Sequence, residues 1–186
     1  MIGRLDELID EKYECKNNGA PFVLMEKAAK GRMQYSVSCN SGSVLFKLDK
    51  SWTMGWLKNQ KCADYAVFEL NGSKLVVHIF ELKKTINSGN WKKIKEQFMG
   101  AYLRIGAIAG VLEESVSEVR LYSCYVDDSL TENIIAKRTA LSNPEIRKDF
   151  NSWEVPNIIF NYSAGDVTCT HTRILLDACG VGSYQL

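Results

Sequence analysis

Two apolar runs meet at Asn71-Gly72, with "ADYAVFEL" before the dipeptide and "SKLVVHIFELKK" after it. Asn-Gly between such runs is the strongest short-range hairpin signal, because both residues tolerate the positive φ of a type I′ turn. The dipeptide therefore predicts two antiparallel strands, at about residues 64–70 and 74–83. With them it sets the alternation of side chains along both strands. For a two-residue loop, Leu70 opposes Ser73 and Asp64 opposes Ile79. Ile79, Glu81 and Lys83 then share one face, and Asp64 is the diagonal neighbour of Glu81, about 7–8 Å away at the backbone. Two converging carboxylates repel unless a cation lies between them. A hard divalent ion such as Mg²⁺ is held by one or two carboxylates, with water and phosphate oxygens completing its shell. Adjacent strand residues point to opposite sides, so Lys83 joins the acids and Lys84 does not. A slip of one residue would send Asp64 to the other face.

The flanking segments extend the pattern. In "SGNWKKIKEQFMGAYLRIGAIAGVL", Trp91, Ile94, Phe98, Ala101, Ile105, Ile108 and Leu112 form a helical stripe. "EVRLYSCYV", residues 118–126, returns as a strand after this crossover helix and is expected to run parallel to its neighbour. Upstream, Leu5, Leu8, Ile9 and Tyr13 share a helical face. "PFVLMEKAAKG" reads as a second short helix begun by Pro21 and stopped by Gly31. "MQYSVSC" and "SVLFKLD" around "NSG" read as another hairpin. After residue 126 we expect a helix near 130–141 and strands near 156–162 and 167–176. The order of helix, antiparallel meander, helix and strand predicts an α/β sandwich with a mixed sheet. The 186 residues suit a single domain.

Asp64 followed by Glu81-Leu82-Lys83 resembles the D…(D/E)-x-K signature of the PD-(D/E)XK nuclease superfamily. The element order is similar to its restriction-endonuclease-like αβββαβ core over about residues 1–126, leaving 127–186 as a C-terminal elaboration. The resemblance implies that Asp64 and Glu81 bind Mg²⁺ or Mn²⁺, aided by the Leu82 backbone carbonyl. It also implies that Lys83 activates the attacking water or stabilises the charged transition state. The implied activity is hydrolysis of phosphodiester bonds in nucleic acid, DNA foremost, alone, as a homodimer or with a helper protein. Two positions depart from the family pattern. Ala63 stands where the name-giving proline would be, and Gln97 is followed at the Gln-x-x-x-Tyr spacing by Ala101. The alternative is a binding module on the same scaffold, such as an immunity protein or antitoxin docking on a protein partner.

Other features are weighed against plainer roles. Lys84, Lys92, Lys93 and Lys95 follow the motif. Lys93, Gln97 and Arg104 share one helix flank, which with Lys84 would face a phosphate backbone. Trp52 and Trp56 lie among Lys47, Lys50, Lys58 and Lys61, a pattern that suits base stacking or simple packing. Glu7 and Glu11 read as surface acids, His78 as a packed strand residue, and Asp127-Asp128 as a helix cap. A net charge of +1 leaves nucleic acid open as a partner. Six cysteines without a C-x-x-C pair, and two distant histidines, argue against zinc and for reduced, mostly buried thiols. The run "IGAIAGVL", residues 105–112, is too short to cross a bilayer, and "MIGRLDELIDEK" is too charged for a secretion leader. A cytoplasmic protein without a membrane partner is expected.

Overall fold

The computed structural model describes residues 14–16, 20–28, 31–39, 42–48, 54, 57–136, 143–162 and 165–186. In chain order these form β1 (Glu14–Lys16), β2 (Phe22–Ala28), β3 (Gly31–Ser38), β4 (Val44–Lys47), β5 (Tyr65–Asn71) and β6 (Lys74–Ile86). Next come helix α1 (Ser88–Val111), β7 (Val116–Asp128), α2 (Ser129–Ala136) and α3 (Pro144–Glu154). The chain closes with β8 (Asn157–Tyr162), β9 (Gly165–Leu175) and β10 (Val181–Gln185).

A seven-stranded mixed sheet in the order β1-β4-β5-β6-β7-β9-β8 carries the fold. β4, β5 and β6 make an antiparallel meander, α1 crosses over, and β7 returns parallel to β6. β9 adds parallel to β7, and β8 folds back on β9. At the tip of the β5–β6 hairpin, Asn71 pairs with Lys74, so the loop is Gly72-Ser73 rather than Asn71-Gly72. Only Gly72 of that tip has positive φ, +64°, and glycine at the first loop position is what a type II′ turn needs. The register therefore moves by one residue on each strand. The two shifts together preserve which face each side chain takes.

Several upstream and C-terminal expectations are corrected. "PFVLMEKAAKG" is a strand, not a helix: Phe22 and Leu24 are buried while Val23 and Met25 are exposed, a period of two. "MQYSVSC" and "SVLFKLD" form strands but not a hairpin. β3 pairs with β2 and β10 in a second, three-stranded sheet, whereas β4 joins the main one. The expected helix near 130–141 is described as Ser129–Ala136, and α3 and β10 were not anticipated. α3 nonetheless has a legible start, since Asn143 caps the Glu145 and Ile146 amides and Pro144 opens the first turn. The first-helix expectation, with Glu7 and Glu11, lies outside the described residues.

The stripe of α1 packs as its spacing predicts. All seven of its residues are buried, against Ala66, Phe68, Val77, Ile79 and Leu121 of the sheet. Each of the isoleucine, leucine and phenylalanine side chains among them contributes about 1.5–3 kcal/mol on burial. Asn87 caps the helix by accepting from the Asn90 amide, and Trp91 meets Trp153 of α3 edge-on at 4.9 Å. The opposite face of the sheet is covered by the second sheet. There Phe22, Leu24, Tyr35 and Val37 pack on Val67, Phe80, Leu82 and Tyr122. Among the described residues no helix is long and apolar enough to cross a membrane.

His171 of β9 lies under α1 between the rings of Trp91, Phe98 and Trp153, with Ser123 Oγ 2.9 Å from its Nε2. Burial pushes its pKa down to about 3, with Arg173 adding to the effect. The unfolded chain takes up this proton near 6.5, the folded chain only near 3. Stability from this group is thus full above 6.5 and is lost as the pH falls through that window. His171→Gln is expected to flatten the loss, on the order of 3 kcal/mol between neutral pH and about pH 4. Urea unfolding of both proteins across that range checks it.

Candidate functional site

β5 ends at Tyr65, whereas β6 continues to Ile86. Beyond Phe80, β6 is laddered only to β7 among the described residues, which opens a notch on its β5 side. Leu82 turns its main chain into this notch. Its N–H donates to Asp64 Oδ2 at 2.8 Å, and its carbonyl accepts from Lys83 Nζ at 3.4 Å. The Asp64 amide donates to the Phe80 carbonyl at 3.2 Å, and its own carbonyl accepts from the Leu48 amide at 2.8 Å. Asp64 lies one residue before the paired stretch, and because its amide bonds to the Phe80 carbonyl the regular register does not extend through it. Asp64 and Lys83 both reach the Leu82 main chain and Lys83 reaches Glu81, so the three groups meet at the notch through these contacts and not through a continued ladder.

The segment leading into Asp64 is docked on α1. Arg104 donates to the carbonyls of Lys61, Gly100 and Gln60, and Gln97 donates to the Cys62 carbonyl at 3.1 Å. Asn59 reaches the Glu96 carbonyl, and Lys61 pairs with Glu96. At Gly100 the chains touch: a Cβ built there would stand 1.8 Å from the Lys61 carbonyl oxygen, so only glycine fits. This corrects the expected basic flank. Arg104 is 2% exposed and holds a loop, and Gln97 does the same. Lys92 and Lys95 face Asp149 of α3, each at 3.7 Å. Lys84 and Lys93 remain on the exposed surface.

Glu81 has no exposed surface, and its Oε2 has no hydrogen-bond partner, while Oε1 touches the Lys83 ammonium. Burial, then the Asp64 charge, push its pKa up to about 8 against the pull of Lys83. Burial alone would lower the Lys83 pKa, but Glu81 and Asp64 outweigh it and the net direction is upward. Near neutral pH, Lys83 therefore keeps its charge while Glu81 tends to hold a proton. A fourth group was not anticipated. Glu26 of β2 continues the inward face of Phe22 and Leu24, and its pKa is raised by burial and then by Asp64. The backbone of its neighbour Met25 is gripped by Tyr65 Oη, which donates to the Met25 carbonyl at 2.7 Å and accepts from the Met25 amide at 3.1 Å. Glu26 escaped notice because a helical reading of residues 21–31 hides the alternation that turns it inward.

Can these groups hold an ion? Among the described residues no three His, Cys, Asp or Glu side chains group closely enough to enclose one unaided. What the notch offers is two carboxylates, one with an orphaned oxygen, a main-chain carbonyl, and an ammonium already seated on the Glu81 carboxylate and that carbonyl. That set fits a Mg²⁺-type ion, which keeps water and takes few protein oxygens, better than a thiolate-rich or imidazole-rich metal.

The remaining candidates take structural roles. Asp128 caps α2 by accepting from the Thr131 amide at 3.0 Å, and Asp127 accepts from Ser129 Oγ. His78 is buried on the face opposite Glu81, between Glu69 and Tyr122. Cys39, Cys62, Cys124, Cys169 and Cys179 are free thiols, but only Cys124 and Cys169 are fully buried and Cys179 is exposed. Trp52, Trp56 and Lys50 lie outside the described residues. Comparison with known proteins finds no matching family model, no matching curated protein and no matching solved structure.

Two stability measurements follow from this geometry. A carboxyl group whose folded pKa is raised stabilises the fold fully below its unfolded value of 4.5 and loses that contribution as the pH rises toward 8. Glu81→Gln should therefore stabilise the protein at pH 7, by up to about 3 kcal/mol, and flatten the pH dependence between those values. Gly100→Ala should instead cost about 1–3 kcal/mol, because the Lys61 carbonyl has to move. It should also loosen Asp64, seen as faster amide exchange at Leu82.

Proposed function

We propose that the chain is a metal-dependent phosphodiesterase that hydrolyses nucleic acid, DNA foremost, with Mg²⁺ or Mn²⁺ as its cofactor. The observation that carries this reading is the buried Glu81 carboxylate. It is kept beside Asp64 and Lys83 at an unladdered strand edge, where a structural acid would be given full hydrogen-bond partners. The β4-β5-β6-α1-β7 order supports the finer likeness to a restriction-endonuclease-like core.

In this reading Asp64 and Glu81, with the Leu82 carbonyl, hold the ion. The ion would polarise the scissile phosphate and acidify water, the usual contribution of a hard divalent metal. Asp64 is oriented by the Leu82 amide, which donates to its Oδ2 at 2.8 Å. Lys83, 23% exposed at its side chain, can reach from the buried acid toward solvent, where its ammonium would meet the attacking water or the phosphate. Lys84 lies exposed on the other face of the strand, where it would contact the nucleic-acid backbone.

A second reading has its own support. Val23, Met25 and Val181 lie exposed on the second sheet, which suits a binding module with a protein partner. The two readings separate on plasmid, linear DNA and RNA incubated with Mg²⁺, Mn²⁺ or EDTA. Metal-dependent cutting is expected, and its absence with all three substrates favours the binding module. Lys83→Ala should abolish cleavage without loss of metal binding. Lys84→Ala should weaken only nucleic-acid affinity, and more so at low salt, as one phosphate contact does. A dead Lys84 variant beside an active Lys83 variant would overturn the assignment.

A further inference from the structure

The Lys83 ammonium stands against Glu81 Oε1 and within 3.4 Å of the Leu82 carbonyl, two of the three groups assigned above to an ion. A monovalent cation of the chain itself thus sits in the place of a divalent one. An ion can use those oxygens only if the ammonium leaves them, and a half-buried ammonium without a counter-charge is costly. Among the described residues, the carboxylates within electrostatic reach of Lys83 are Glu81, Asp64 and Glu26. Glu81 and Asp64 belong to the ion in the proposed reading, and Asp64 also carries the Leu82 amide. Glu26 is the one left. Its Oε2 is buried and has no hydrogen-bond partner. Its strand is fixed to the start of β5 by the two Tyr65 hydrogen bonds to Met25.

We infer that Glu26 is the second station of Lys83: it receives the ammonium once Glu81 and the Leu82 carbonyl are given over to a divalent ion. Glu26 is thereby a positioning residue. It keeps Lys83 charged, paired and at the mouth of the notch, where the proposed chemistry needs it. The inference rests on the metal reading of the site, and it adds a part played by the second sheet. A carboxylate that merely attracted the ion would act whether or not Lys83 were present. A station for Lys83 acts only when there is an ammonium to rehouse. That difference is measurable without any turnover.

The test is a double-mutant cycle in Mn²⁺ affinity, by calorimetry on wild type, Glu26→Gln, Lys83→Met and the double variant, each first shown to be folded by thermal melting in EDTA. Glu26→Gln should weaken Mn²⁺ binding roughly tenfold when Lys83 is present and less than about threefold in the Lys83→Met background. Glu26→Met serves as a second replacement held to the same outcomes, in case the glutamine variant does not fold. Equal losses in both backgrounds would overturn the inference, because Glu26 would then act on the ion directly. No loss in either background would overturn it too. A wild-type protein that takes up no Mn²⁺ at millimolar concentration would instead remove the metal reading itself, a result distinct from binding with an additive cycle.

Discussion

The Leu82 amide donates to a side-chain carboxylate, Asp64 Oδ2, at a point where a regular antiparallel ladder would offer a main-chain carbonyl. Much of the notch depends on that substitution. Had β5 continued past Tyr65 in register, the edge of β6 would be closed and the Leu82 carbonyl would be laddered. Instead the Asp64 carbonyl continues the pairing with β4 by accepting from the Leu48 amide, and its side chain satisfies the Leu82 amide of β6. The cost of ending a strand beside a buried acid is offset elsewhere. Arg104, buried in the middle of α1, gathers the carbonyls of Gln60 and Lys61, and Gly100 lets the two backbones touch. An arginine placed on the helix flank for phosphate would have left this loop unheld.

The electrostatics of the notch are a contest between desolvation and pairing, and desolvation wins at Glu81. With no surface in water, the carboxylate cannot lower its energy by hydration, and Asp64 adds a like charge. Lys83 opposes both effects and does not cancel them. A single ammonium on a flexible stem is a weak substitute for a divalent ion, which would supply twice the charge in a smaller volume. The arrangement is therefore stable enough to fold and still poorly satisfied, a combination that buried ion pairs kept only for stability do not require.

The hairpin face was legible because strand parity survives errors that defeat exact register. The loop moved from Asn71-Gly72 to Gly72-Ser73, yet the paired residues from Tyr65 to Phe80 kept the expected alternation of faces, since each strand shifted by one. The seven apolar positions from Trp91 to Leu112 were legible for a similar reason, being spread over about six turns of one period. Residues 21–31 were not. Phe22 to Met25 are all apolar, so the alternation that makes β2 a strand appears only once a second sheet exists to bury one side of it. Glu26 went unseen with it. Arg104 and Gln97 were placed on the correct helix, but nothing in sequence spacing says that a loop 35 to 44 residues earlier will lie across them.

The sheet carries polar groups on both faces, and their contrast bears on which set works. Toward the second sheet, His78 has partners at both ring nitrogens, Tyr122 Oη at 3.0 Å and Glu69 Oε2 at 3.2 Å. That network is closed, and a closed buried network rigidifies a core without inviting a ligand. Toward α1, Glu81 pairs across the ladder with Ser123, and Ser123 reaches His171. This row has loose ends at Glu81 Oε2 and His171 Nδ1. The two ends differ in kind. His171 is buried among three aromatic rings, which shield a neutral imidazole. Glu81 adjoins the open edge of β6, through which Lys83 already reaches solvent. Of the unsatisfied groups in this row, Glu81 alone combines an acidic oxygen, a missing partner and a path to the outside, which sets it apart from either histidine.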